Sequence, residues 1–223
     1  MTSATPPGIV GLLAAAVRAD PSRPFLTFYD DATGERLELS VATTANWAAK
    51  ASNLLVDELG VAPGEQVALD VPPHWHTAVL ILAVGSVGAR VAPRGTTGLR
   101  VAAWAEGTPL PDADDVLGLS LRPMNGGLTR AYPGVIDVAT ETLAYGDSFD
   151  PPPGVLPGVD SEVMPIAQRV LSTTLDPLVG VLAGGGSLVL VRRADPAALP
   201  HRAAVERVEA TVGCDVEGLP RLG

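Results

Sequence analysis

Gln66–Pro93 reads QVALDVPPHWHTAVLILAVGSVGARVAP, and this stretch decides the fold. Gln66–Val71 (QVALDV) is a short apolar run between the turn residues Ala62-Pro63-Gly64-Glu65 and the break Pro72-Pro73. That pattern reads as a buried strand. A helix follows from about His74 to Gly88, and Arg90–Pro93 is a further short strand. A strand–helix–strand order predicts parallel strands joined by a right-handed crossover.

Working outward toward the N-terminus, Thr43 to Leu59 has helical periodicity. Trp47, Ala51, Leu54, Leu55 and Leu59 share one face, with Lys50, Asn53 and Asp57 on the solvent side and Gly60 as the C′ stop. Phe25–Tyr29 (FLTFY), the turn residues Asp30 to Gly34, and the alternating Glu35–Leu39 read as a hairpin. In Gly8–Val17, Ile9, Leu12, Leu13, Ala16 and Val17 line one face of a docking helix. That run has no basic residue before it and is too short to span a bilayer, so it does not read as a signal peptide.

Toward the C-terminus, Leu99–Glu106 is expected to be a short helix and Val116–Leu121 (VLGLSL) a strand, while Val135–Ala144 fits either state. Asp147–Asp160 (DSFDPPPGVLPGVD) has the composition of a linker or boundary. Pro165–Leu171 stays open, Asp176–Ala183 reads as a helix, Ser187–Arg193 (SLVLVRR) as a buried strand and Pro196–Ala210 as an amphipathic helix. The expected class is α/β, a mostly parallel sheet flanked by helices. Residues 1–150 form a first lobe of hairpin and strand–helix–strand units, and 151–223 form a smaller segment packed on the same sheet system as one compact unit.

A chain of 223 residues can bury a sizeable core. Hydrophobic residues make up 47% but aromatics only 4%, so Val, Leu, Ala and Ile must build that core. The net charge of -10 disfavours nucleic acid and anionic lipid as partners. Lys50 is the only lysine, which removes lysine as a reagent for phosphate chemistry. The one cysteine, Cys214, excludes an internal disulfide and a Cys-rich metal site. A lone thiol fits a reducing, cytoplasmic compartment, and with no His near it in sequence it reads as a small side chain, not a nucleophile.

Three stretches invite a functional reading. His74 and His76 stand at i, i+2 at a helix start, point in different directions and have no third ligand cluster nearby. Trp75 packing between two solvated histidines is the plainer account. Gly184-Gly185-Gly186 follows a helix and precedes a strand, the reverse of a phosphate loop, so it reads as a helix C-cap. Arg94-Gly95-Thr96-Thr97-Gly98 follows a strand and precedes the expected helix, so Gly95, Thr96, Thr97 and Gly98 with Arg100 form the candidate anion- or phosphate-binding loop. A plain strand-exit turn is the competing reading, since no Lys follows and Arg presents a fixed fork. The Asp112/Asp114/Asp115 and Asp147/Asp150 groups read as solvated loop acids, and no nucleophile elbow occurs. No catalytic residue and no metal ligand is assigned.

The order DPSRPFLTFYD, TGERLELS, LLVDELGVAPGEQVALDV and GSVGARVAP, from Asp20 to Pro93, resembles the opening of adenylate-forming enzymes, the AMP-binding acyl-CoA synthetase superfamily. Val181–Val191 (VLAGGGSLVLV) resembles a later helix-to-strand step of the same large domain. The matches cover about half the chain and concern scaffold segments. The family's phosphate loop, a Ser/Thr/Gly-rich run ending Gly-x-Pro-Lys, has no counterpart between them. Gly95–Gly98 shares the letters GTTG but comes too early and lacks the Pro-Lys. The family's adenosine-stacking Tyr, its ribose-binding Asp and the mobile domain's lysine also have no counterpart, so no functional residue carries over. Leu119–Pro123 (LSLRP) and Gly134–Asp150 resemble a short actinobacterial group of truncated relatives.

The resemblance implies a non-catalytic remnant acting as a partner-binding or regulatory module, with no cofactor and a protein partner of open identity. A second reading is a binder of nucleotide, acyl chain or CoA in the crevice beyond the strand ends near Pro93–Gly98. In that case ATP, AMP or CoA would be its ligand. A third is an AMP-forming carboxylate–CoA ligase. Oligomeric state stays open.

Overall fold

The structure is a computed structural model that describes residues 8–123, 126–151 and 163–222. Among the described residues ten strands form two five-stranded sheets, where one sheet system was expected. The first sheet runs β4-β3-β5-β6-β7, with β3 at Gln66–Ala68, β4 at Arg90–Val91, β5 at Val101–Ala105, β6 at Asp115–Leu119 and β7 at Val135–Asp137. Every pairing in it is parallel. The second runs β10-β8-β9-β1-β2, with β1 at Pro24–Asp30, β2 at Glu35–Ser40, β8 at Arg169–Ser172, β9 at Ser187–Arg192 and β10 at Ala210–Val212. Only its β1–β2 hairpin is antiparallel.

The helices are α1 (Ile9–Ala19), α2 (Val41–Asn53), α3 (Trp75–Val87), α4 (Val138–Glu141), α5 (Leu178–Gly184) and α6 (Leu199–Val205). The chain divides into two compact units, and not by a single cut near residue 150. Of the described residues, one unit comprises those in 8–11, 45–72 and 79–151, and the other those in 12–44, 73–78 and 163–222. The divisions fall inside α1, α2 and α3, which are shared in sequence by both units.

In the first unit α2 ends in a π-helical turn, Leu54–Glu58, with Leu54 and Leu55 buried. Gly60 takes φ 59° and donates its N–H to the Val56 carbonyl, as a C′ glycine does. The expected helix over Leu99–Glu106 is instead strand β5. All five of its residues, VAAWA, are buried, because it lies between β3 and β6. A short apolar run carries no period that separates a buried strand from a buried helix, and pairing on both sides decides it. Val135–Ala144 turns out to be both states in succession, β7 and then α4 with a 3-10 turn at Thr142–Ala144. Gly118 in β6 leaves room for its neighbours, since a Cβ there would lie 2.6 Å from Val135 and 2.8 Å from Leu128.

In the second unit β1 and β9 supply the centre of the core, with Phe25, Leu26 and Phe28 and then Leu188 to Val191 almost fully buried. The glycine triplet closes α5, where Gly185 is the left-handed cap at φ 75°. Its neighbours serve close packing. A Cβ on Gly184 would lie 2.4 Å from the backbone of Ile166, and one on Gly186 2.4 Å from the Gln168 carbonyl. Residues 164–168 therefore lie directly on the glycines, and the Ile166 N–H donates to Gly180 at 2.9 Å. The helix expected over Pro196–Ala210 is shorter, α6 at Leu199–Val205, and Ala210 instead opens strand β10. The helix ends at Val205, and Arg207 turns the chain at φ 53°. The boundary expected at Asp147–Asp160 falls largely outside the described residues.

Candidate functional site

The loop Gly95–Arg100 joins two strands, β4 and β5, so no helix N-terminus follows it. Gly95 and Gly98 take φ 77° and 71°, the turn geometry expected of glycine. The Gly95 N–H donates to an Asp70 carboxylate oxygen at 2.8 Å, and the Thr96 hydroxyl donates to the Pro93 carbonyl at 2.6 Å. Thr97 and Gly98 are exposed. Arg100 stands apart, at the amino-terminal edge of the same sheet. Its guanidinium binds Glu65 at 2.8 Å, Asp115 at 2.7 Å and the Leu59 carbonyl at 2.8 Å. Glu65 precedes β3 and Asp115 opens β6, whereas Asp70 follows β3. The parallel chain must return from one sheet edge to the other between Gly95 and Arg100, so the loop and its cation are not gathered around one point. Whether Pro151–Pro157 covers this edge falls outside the described residues, which stop at Pro151 and resume at Val163.

Lys50 is not a solvent-facing residue. Its Nζ donates to the Tyr145 carbonyl at 2.6 Å and pairs with Asp147 at 2.7 Å, leaving its side chain 21% exposed. One turn on, Asn53 Nδ2 donates to the carbonyls of Gly146 and Ser148. α2 therefore holds residues 145–148 as a strap. Asp115 and Asp147, read as solvated acids, are ion-pair partners of Arg100 and Lys50.

The histidine pair is also not solvated: His74, Trp75 and His76 are 0%, 2% and 3% exposed. His74 Nδ1 accepts the His76 backbone N–H at 3.2 Å, as an N-cap side chain does, and its ring meets Phe28 edge-on at 4.7 Å. Burial, with His76 and Arg192 nearby, pushes His74 down to about 2, so it is neutral at any ordinary pH. Among the described residues no group of three or more His, Cys, Asp or Glu is placed to hold a metal ion.

Two further carboxylates of the second unit are saturated by donors. Asp30, 1% exposed, takes a bidentate contact from Arg193 and the Ala32 N–H. Glu206 receives Tyr29 Oη at 2.5 Å, Arg169 at 2.5 Å and Arg36 at 3.0 Å. Burial works to raise the Glu206 carboxyl, and these donors more than offset it and hold it below the ordinary range. Committed in this way, both acids tie strands and loops together.

The first unit carries a cleft of about 480 Å³. It runs beside β7 and is lined by Leu128, Tyr132, Val135 and Ile136 together with Glu58, Arg130, Asp137 and Glu141. Reading the sequence missed it, because its lining comes from separate segments, none with a motif.

No family model matches the chain. A curated Mycobacterium tuberculosis (strain ATCC 25618 / H37Rv) protein described as "TIGR03089 family protein" is 38% identical over 237 residues, covering 92% of this chain and 98% of that protein. The chain belongs to the TIGR03089 family. Solved structures similar to it are acyl-CoA synthetases. A Brucella canis acyl-CoA synthetase matches with TM-score 0.70 at 15% identity over 96% of this chain and 48% of its own. The N-terminal domain of FACL13 from Mycobacterium tuberculosis matches with TM-score 0.65 at 13% identity, over 93% and 63%. Acetoacetyl-CoA synthetase from Streptomyces lividans matches with TM-score 0.67 at 17% identity, over 92% and 42%. The family member therefore has the fold of acyl-CoA synthetase N-terminal domains, and spans about half the length of the solved chains it matches. No described helix is long and apolar enough to cross a membrane.

Proposed function

We propose that the chain is a non-catalytic relative of the adenylate-forming enzymes that works as a partner-binding or regulatory module. The observation that carries this reading is the commitment of Lys50 and Arg100. Adenylation builds negative charge on phosphates, and cationic side chains normally stabilise it. Here the only lysine straps residues 145–148, and Arg100 is held by two carboxylates and a carbonyl. The Gly95 amide already serves Asp70, which would repel an arriving phosphate.

Pyrophosphate exchange across a panel of carboxylates tests it directly: no exchange is expected, and exchange with any acid returns the ligase reading. Thermal shifts with ATP, AMP, CoA and acyl-adenylates test the small-ligand alternative. Saturation a hundredfold over the dissociation constant stabilises by about 2.7 kcal/mol, a readily measured shift. Under the proposed reading none of the four shifts the midpoint.

A further inference from the structure

β7 pairs with β6, and among the described residues no strand pairs with its other side, where the Val135 N–H already goes to the Tyr132 carbonyl at 3.1 Å. The cleft lies along that edge. Leu128, Val135 and Ile136 supply its apolar surface, and Glu58 and Glu141, both exposed, supply charge. Asp137 also lines it, but its oxygens are spent on the N–H groups of Leu128 and Ala139. The one guanidinium in the lining, Arg130, lies over the Tyr132 ring at 4.8 Å. Nearby, burial first, and then Glu58, Asp57 and Glu141, push the Tyr145 phenol up. The facing wall is fixed in advance. Glu106 accepts the Thr129 N–H at 2.9 Å and Tyr132 Oη at 3.0 Å, which holds that loop in place.

We propose that this edge docks an extended segment of a partner protein, laid along β7, with a lysine or arginine entering the cleft against Glu58 and Glu141. A strand edge supplies main-chain hydrogen bonds, and a pocket beside it selects the side chain. The carboxylates favour a cationic residue and speed its approach. The apolar surface suits a β-branched or aliphatic neighbour on the same face, two residues away. This deepens the module reading and rests on it.

The test is selection from a displayed library of random seven-residue peptides on the full chain. The enriched peptides are then titrated by NMR. Lys or Arg at one fixed position is expected, with the amides of Val135, Ile136 and Asp137 among the most shifted. Glu141→Lys should weaken binding at least tenfold, and Glu141→Gln less. Circular dichroism of both variants checks the fold, and exposed Glu141 tolerates either change. Peptides without a basic residue, binders indifferent to both variants, or shifts centred elsewhere would overturn the proposal. So would argininamide alone shifting the same amides as strongly, which would make the ligand a small cation. If the peptides behave as expected and the chain nevertheless shows pyrophosphate exchange, the non-catalytic reading falls and this surface stands.

Discussion

Glu206 joins three elements of the second unit through one carboxylate, touching Tyr29 of β1, Arg36 of β2 and Arg169 of β8. Its side chain is 6% exposed and that of Arg169 17%, so Glu206→Gln leaves a half-buried guanidinium without its counter-charge. A loss of about 3 kcal/mol is expected in urea unfolding, with Arg36, the more exposed partner, contributing little of it. His74 gives a prediction in pH. An unfolded histidine binds a proton near pH 6.5, whereas the buried ring does so only at about 2. Its contribution is therefore complete above about pH 6.5 and declines as pH falls toward 2, because only the unfolded chain takes up the proton. Between pH 7 and 5 wild type should lose about 2 kcal/mol more than His74→Asn, which keeps a capping oxygen and cannot titrate. Equal losses in the two proteins would contradict the burial of the neutral ring.

At the scale of elements, the glycines of α5 make the sharpest case. Gly184→Ala sets a methyl 2.4 Å from the Ile166 backbone, and backbone cannot move aside as a flexible side chain would. A cost of about 2–3 kcal/mol is expected, read as a lowered urea midpoint. Gly34→Ala, with open space around its Cβ and φ 72°, should cost only about 1 kcal/mol of conformational strain. The contrast separates close packing from turn geometry. Elements with a clear period or clear stops were legible in the sequence: the β1–β2 hairpin, α2 up to Gly60, α3, and the capped end of α5. What failed was local. β5 is five small or apolar residues buried on both faces, which resemble a helix until their neighbours are known. Lys50 sits on the polar side of its helix, yet a segment 95 residues later covers it. His74 and His76 look polar in a row of letters, but α3 is buried on nearly all its sides and takes them inside.

For the whole molecule, the two sheets fix which groups can meet. β1 and β2, read early in the chain, share a sheet with strands beyond residue 168, a pairing that no local signal announces. The cleft beside β7 was illegible for the same reason, since Glu58 reaches it from a segment seventy or more residues before the rest of the lining. Net charge, by contrast, needs no fold. At -10 the chain should show no binding to a duplex DNA at 150 mM salt by fluorescence anisotropy, and saturable binding there would contradict its charge balance. The strap over α2 has a practical consequence. With a single lysine in the sequence, and that one engaged by Tyr145 and Asp147, an amine-reactive dye has one side-chain target, reachable when residues 145–148 lift away. The labelling rate of Lys50 is thus a clock for one local opening, read without any mutation.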